Sequence, residues 1–360
     1  MRHQTTYEQF GLILNIIFMS GLGLVLLLLA GFAQGSFGLG MKKQSPMSWE
    51  SFWLVYSLFA MLFVPFIWGY ASFSSFIDSI IMTDTNVLST SVILGFLWGI
   101  GGILFGMSVS YVGISITNGV VMGLAGGLGA IIPLFGIDGA TEQPSFIYVI
   151  LGVVIMLLGV GLSAYSGILR EKEQNIANIN RDSSNKSSLV KGLIIVVLSG
   201  VLSSLLNVGF EAAIPIIENA KKLGATDAAS SIPARATVVF GGLLMNAGYA
   251  VFLLCRNKTW SDFKFREEGS LKSFVWAVIT GFLWFLPLGL SGIVSVSIGE
   301  LGNVITWPVM LSLSLIFGNI WGYLTGEWKN TKHSFMLMIL ASLVLIVACM
   351  ILTFKDSFIN

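Results

Sequence analysis

The chain has 360 residues, of which 55% are hydrophobic and only 10% charged, with a net charge of +1 and a mean hydropathy of +0.87. A soluble domain carries about 25% charged residues, so this composition specifies a polytopic membrane protein, and the near-neutral charge excludes the basic surface that a nucleic-acid partner requires. The two histidines, His3 and His333, fall in expected loops, so neither a histidine metal site nor Ser/His catalysis can be assembled inside the membrane. The inventory argues against an enzyme, and nothing implies a metal or nucleotide cofactor. Cys255 and Cys349 sit in apolar runs, where packing is a better reading than a disulfide.

A spanning helix takes roughly 20 residues, which leaves room for about ten. After a polar start, Arg2 and the apolar run behind it resemble a signal peptide with small residues at Gly31 and Ala33, but the run exceeds a signal core. It reads as a first spanning helix over residues 14–40, followed by the basic turn MKKQSP. Residues 49–70 form the second, with Trp49, Trp53, Trp68 and Tyr70 as interface anchors and Pro65 as a kink. Asp78 and Asp84 mark a polar loop. From Gly95 to Gly129 there is no charged residue and no proline, while glycine recurs at Gly95/Gly99, Gly102/Gly106 and Gly119/Gly123/Gly127. Small residues at four-residue spacing allow helices to pack closely in lipid. The stretch therefore holds the third and fourth helices, joined near Gly113 by almost no loop. Its polar residues Ser108, Ser110, Ser115, Thr117 and Asn118 either line a cavity or bond back to their own helices. Asp138 and Glu142 mark the next loop, and residues 146–168 form the fifth helix, with Gly152, Gly159 and Gly161 on its packing side.

The hydrophilic stretch REKEQNIANINRDSSNKSS then divides the chain. Five more helices follow, over 190–217, 232–255, 273–294, 302–326 and 334–354. The organisation is thus residues 1–168 as a first five-helix repeat, 169–189 as a cytoplasmic linker and 190–360 as a second repeat. The tetrapeptide GFLW at Gly95 to Trp98 returns at Gly281 to Trp284, in the third helix of each half, and the same offset carries Gly113 onto Gly299. A glycine ladder follows in each half, the second at Gly318/Gly322/Gly326. An odd number of helices per half requires the second copy to be inverted, the architecture of secondary transporters. Fourteen Lys and Arg fall in the turn after the first helix, the linker and the loops after the seventh and ninth helices, against four on the other side. The positive-inside rule then places both termini outside the cytoplasm.

In the sixth helix Ser199, Ser203, Asn207, Glu211 and Pro215 follow at steps of four, a slowly turning polar ridge on an apolar helix. An intramembrane carboxylate is expensive unless it meets water, a partner or a proton. Glu211 is accordingly the candidate proton site, the alternatives being a static pair with Arg235 or a place at the membrane surface. Gln34, Asn118, Asn207, Asn246 and Trp307 are candidates for binding solute. Arg235, Glu300, Asn303, Trp98 and Trp284 form a second rank. Amides hydrogen-bond hydroxyls and indoles stack on apolar sugar faces, which suits a neutral polyhydroxy ligand; taken singly, each residue reads better as an interhelical tie or anchor, and only convergence in one cavity favours a site.

The segments MKKQSPMSWESFW, LWGIGGILFGMSVSYVGIS, GVGLSAYSGILREKE and GEWKN, in that order over nearly the whole chain, resemble the bacterial L-rhamnose/proton symporter family of the drug/metabolite transporter superfamily. The resemblance implies ten helices as two inverted bundles of five, an inner-membrane location and proton-coupled uptake of a sugar. Two other readings stay open: a metabolite exporter or exchanger indifferent to a proton gradient, and a membrane scaffold or sensor with no water-filled cavity behind the polar ridge. The partners implied are a sugar-like solute, protons and the lipid bilayer, with oligomeric state left open.

Overall fold

The computed structural model describes residues 2–112, 114–137, 139–175, 186–298, 301–326 and 328–353. Those residues are helical almost throughout, and ten helical stretches are long and apolar enough to cross a membrane. In lipid the backbone has no water to bond, so each span satisfies its own amides as a helix.

The first span is α1 (Arg2–Met41). The second is α2 (Trp49–Leu58), a π turn at Phe59–Phe63 and α3 (Val64–Ser72). Pro65 lacks an N–H for the preceding turn, and the backbone widens into the π turn just before it. α2 starts at Ser48, whose side chain accepts from the Ser51 N–H. The stretch expected as a polar loop contains a short helix, α4 (Phe76–Ile81). α5 (Thr85–Val112) and α6 (Ile114–Gly136) are the third and fourth spans; Gly113, where the sequence puts their join, lies outside the described residues. α7 (Phe146–Asn175) is the fifth; residues 176–185 of the linker lie outside the described residues.

The sixth span differs from its expected continuous form. α8 (Lys186–Ala212) breaks at Ala213, and α9 (Ile214–Lys222) restarts with Pro215 in its first turn, where a proline's missing N–H removes no helical bond. The remaining spans are α10 (Asp227–Asn257), α11 (Ser270–Ile298), α12 (Gly302–Leu324) and α13 (Lys332–Thr353).

α1 lies against α11 and α12, while α8 lies against α5 and α6. α5 crosses α10, α2 with its π turn crosses α11, and α7 pairs with α13. Glycines set these crossings. A Cβ on Gly95 would strike the Val238 carbonyl, and one on Gly241 would strike the Val92 carbonyl, so α5 and α10 touch backbone to backbone. Gly119 meets Ala164 of α7, and Gly123 and Gly127 meet Val160 and Leu157. Other ladder positions are not seams. Gly102, Gly106, Gly318 and Gly322 line an internal cavity, and Gly161 is exposed with no neighbour in reach of a Cβ. Trp53 and Trp68 are also turned inward rather than toward the membrane surface: Trp53 bonds Asn246 and Trp68 packs on Phe285.

Candidate functional site

A cavity of about 1010 Å³ opens between the two sets of spans. Its mouth is rimmed by Met41, Lys42, Arg170, Leu253 and Gly322, at the ends of α1, α7, α10 and α12. This is the face on which the basic connections lie. The cavity stops at Met61, Trp98, Ala125, Leu206, Leu288 and Trp307, and the helices close beyond them.

The walls are aromatic. Trp49 stacks on Trp53 at 4.8 Å, Trp53 meets Tyr56 at 4.9 Å, and Tyr56 abuts Trp284 edge-on at 6.3 Å. Trp98 and Trp284, the last residues of the two GFLW tetrapeptides, stack at 5.3 Å with an interplanar angle of 27°. Polar groups among the rings are few. Asn246 accepts from the Trp53 indole at 3.1 Å and donates to the Gly242 carbonyl at 2.9 Å, so its amide is oriented by the wall. Gln34 lines the cavity, and its buried Oε1 has no hydrogen-bond partner among the described residues. Trp307 closes the end and donates to the Ala125 carbonyl at 2.9 Å. A few oriented polar groups within apolar walls are the general form of a small-molecule site, and exposed ring faces with free amide positions suit a molecule with both hydroxyls and apolar faces.

The sequence offers Trp49 and Trp53 as membrane-surface anchors and gives Tyr56 no role, whereas all three line the cavity. Their spacing at i, i+4 and i+7 does put them on one helix face, which is the signal for a shared wall.

Beyond the closed end lies a charged network. Ser203 of the polar ridge lines the cavity, while Asn207 and Glu211 continue past it. Asn207 donates to the carbonyls of Gly129 at 2.6 Å and Asn303 at 3.3 Å, tying α8 to α6 and α12. Asn303 donates from Nδ2 to Glu211 Oε2 at 3.0 Å, and its Oδ1 accepts from Arg235 Nη2 at 2.8 Å. One amide therefore stands between the carboxyl and the guanidinium. Arg235 is 3% exposed. It also donates to the Ser295 hydroxyl at 3.3 Å and lies 3.8 Å above the Phe210 ring. Phe210 in turn meets Trp307 edge-on at 6.2 Å, which joins the network to the cavity's closed end.

Of the expected solute residues, Gln34, Asn246, Trp307, Trp98 and Trp284 converge on the cavity, and Asn207 joins the network. The side chain of Asn118 and the whole of Glu300 lie outside the described residues. Ser108 bonds Thr117 at 3.2 Å and the Phe105 carbonyl, tying α5 to α6.

At the mouth, Glu50 accepts from Asn257 at 3.0 Å and Thr259 at 2.7 Å, and Asp262 accepts from the Ser48 N–H and the Ser51 hydroxyl, both at 2.8 Å. These bonds pin the start of α2 to the connection between α10 and α11. Burial pushes the Asp262 carboxyl up, but the bonds from Ser48 and Ser51 outweigh it and hold the group below its ordinary value.

The model of the L-rhamnose-proton symport protein family matches residues 15–356. The chain belongs to that family. Among its relatives are the L-rhamnose-proton symporters of Yersinia pestis (strain Pestoides F) and Yersinia pseudotuberculosis serotype O:3 (strain YPIII). Each is 26% identical over 334 residues, covering 91% of this chain and 95% of the relative. The L-rhamnose-proton symport family consists of transporters rather than enzymes, in keeping with a large membrane cavity and a site built of amides and indoles.

Proposed function

We propose that this protein is a secondary carrier that moves L-rhamnose or a closely similar sugar inward with protons by alternating access. The observation that carries the proposal is the aromatic-walled cavity, open at one membrane face, with an ionisable network directly behind its closed end. Solute sits among Gln34, Asn246, Trp98, Trp284 and Trp307. Glu211 takes the proton, and the ridge through Asn207 to Ser203 links it to the cavity. A scaffold has no use for a cavity of this size.

The packing supports two inverted repeats. Counting spans in order, the first lies on the eighth and ninth as the sixth lies on the third and fourth; the third crosses the seventh as the eighth crosses the second; and the fifth pairs with the tenth. Each of these pairs maps onto another of them, or onto itself, when five is added. Trp98 and Trp284 stack on each other as residues beside a two-fold axis would. Residues 1–168 and 190–360 are then the two halves and 169–189 a cytoplasmic linker. The basic connections support a cavity mouth at the cytoplasm of a bacterial inner membrane with both termini in the periplasm, which makes this an inward-facing form.

Proteoliposomes test the reading. An imposed proton gradient is expected to drive accumulation of L-rhamnose, and Glu211→Gln is expected to abolish it while leaving solute exchange. Accumulation indifferent to the gradient in the unaltered protein would favour an exporter or exchanger.

A further inference from the structure

Arg235 is left incompletely satisfied in a place that offers it no water. A guanidinium has five N–H donors. Nη2 serves Ser295 and Asn303, the face is covered by Phe210, and the buried Nη1 has no partner among the described residues. The Ser231 hydroxyl, one turn earlier on α10, is likewise buried and unpartnered. Neither group can be completed by a ligand between α10 and α11. A Cβ on Gly292 would already meet Arg235 Nε at 2.8 Å and Ser231 Oγ at 2.9 Å, so the packing there is closed. The acceptor best matched to a guanidinium is a carboxylate, and a pair of this kind is strongest when bidentate. Glu211 is the carboxylate at hand, and Asn303 holds the two apart.

We infer that Asn303 is a positioning residue that couples the proton on Glu211 to the packing of α12 against α8 and α10; this rests on the assignment of Glu211 as the proton site. With Glu211 protonated, the neutral carboxyl accepts from Asn303 Nδ2, the Asn303 bridge is the better arrangement, and the far end of the cavity stays closed. When the proton leaves, the negative carboxylate and the guanidinium attract each other directly. Their pairing displaces Asn303 and frees the start of α12. Asn303 holds α12 in two ways, through its side chain to Glu211 and Arg235 and through its backbone carbonyl to Asn207, so its release loosens one helix from two others.

The surroundings leave few competitors for Glu211. Near this end of α8 the described parts of α5, α6 and α12 bring no acid or base. α9 carries Glu218, Lys221 and Lys222 beyond the helix break, where Lys221 pairs with Asp227 of α10 at 2.8 Å. Arg235 of α10 is the charged group that bears on Glu211.

The test combines gradient-driven uptake of L-rhamnose, solute exchange and labelling from the outer side. With Cys255 and Cys349 replaced by serine, a cysteine placed at Ala212 reports through an impermeant maleimide whether the far end is open. In the otherwise unaltered protein labelling is expected to rise at least threefold from pH 6 to pH 8. Asn303→Leu keeps the bulk without the amide. It is expected to flatten that pH profile and to lower gradient-driven uptake at least tenfold while exchange persists. Asn303→Asp keeps the acceptor for Arg235 but removes the donor to Glu211, is expected to do the same, and decides the matter should the leucine variant not reach the membrane. A wild-type pH profile in these variants overturns the bridging role, even where Glu211→Gln uncouples uptake. Retained coupling in Glu211→Gln overturns the proton assignment instead.

Discussion

Replacing Gly95 by alanine adds one methyl group where α5 and α10 have no room for it. The added Cβ meets the Val238 carbonyl, and on the facing helix a Cβ at Gly241 meets the Val92 carbonyl and the Phe96 amide. Backbone atoms cannot rotate away as side chains do, so the helices must part. Overpacking of this kind costs about 1–3 kcal/mol, whereas alanine in place of glycine within a helix returns about 0.8–1 kcal/mol. Gly161→Ala isolates the second effect, because an added Cβ there has no neighbour within 4 Å. The difference between Gly95→Ala and Gly161→Ala is therefore expected to be about 1–3 kcal/mol, the whole of the crossing effect. At about 2–4 °C per kcal/mol for chains of 150–250 residues, and less for a longer one, this is a melting difference of a few degrees. Thermal unfolding in detergent, followed by reaction of the half-buried Cys349 thiol in a background where the exposed Cys255 is serine, measures it. The separation forced by the first methyl also admits the second, so Gly95→Ala/Gly241→Ala should lose less than the sum of its parts by at least about 0.5 kcal/mol. Equal melting of Gly95→Ala and Gly161→Ala, or strict additivity in the double variant, refutes a backbone-on-backbone crossing.

Other outcomes follow from the cavity and its mouth. Trp53→Phe keeps the ring but removes the donor to Asn246; sugar affinity measured by ligand-induced thermal shift should fall several-fold with little change in the melting of the empty protein. Trp98→Ala removes half of the stacked pair, and loss of an aromatic pairing worth about 0.5–1.5 kcal/mol predicts a sugar-free protein less stable by at least about 0.5 kcal/mol, read from its thermal unfolding. Gly129→Val drives a side chain into the Trp307 indole, which a Cβ at Gly129 already meets at 2.7 Å, and should abolish uptake in protein that still reaches the membrane. Asp262→Asn should lower stability at pH 7 by on the order of 1 kcal/mol, since the bonds to the charged carboxylate are partly solvated. The folded carboxyl lies below its ordinary value, so its contribution is complete above about pH 4, the free aspartate range. It is lost as pH falls through the folded value, and melting curves of the variant and the unaltered protein should converge there.

The spans were legible because lipid demands a long apolar run for each crossing, and that demand leaves its mark on local composition. The break at Ala213 left no such mark: Pro215 fits the first turn of a new helix as well as it fits an unbroken ridge in the sequence. Glycine spacing located the α5–α10 crossing at Gly95 but gave the same signal at Gly102 and Gly106, where the absent side chain makes room for the cavity instead. Tryptophan near a helix end reads as a headgroup anchor whether it faces lipid or the rim of a cavity, which is why Trp53 misled. The ridge from Ser203 to Glu211 was visible because its members share one helix. The place of Asn303 between Glu211 and Arg235 was not, because three spans must fold together before the amide has anything to bridge.

The stacked indoles of Trp98 and Trp284 carry a consequence for spectroscopy. Two such chromophores at 5.3 Å couple their electronic transitions, and the resulting circular dichroism couplet depends on the angle between them. Since one ring belongs to each half of the chain, a change in their mutual tilt alters the sign or amplitude of that band. The protein thus contains its own optical goniometer, readable in unlabelled material as sugar and protons are added.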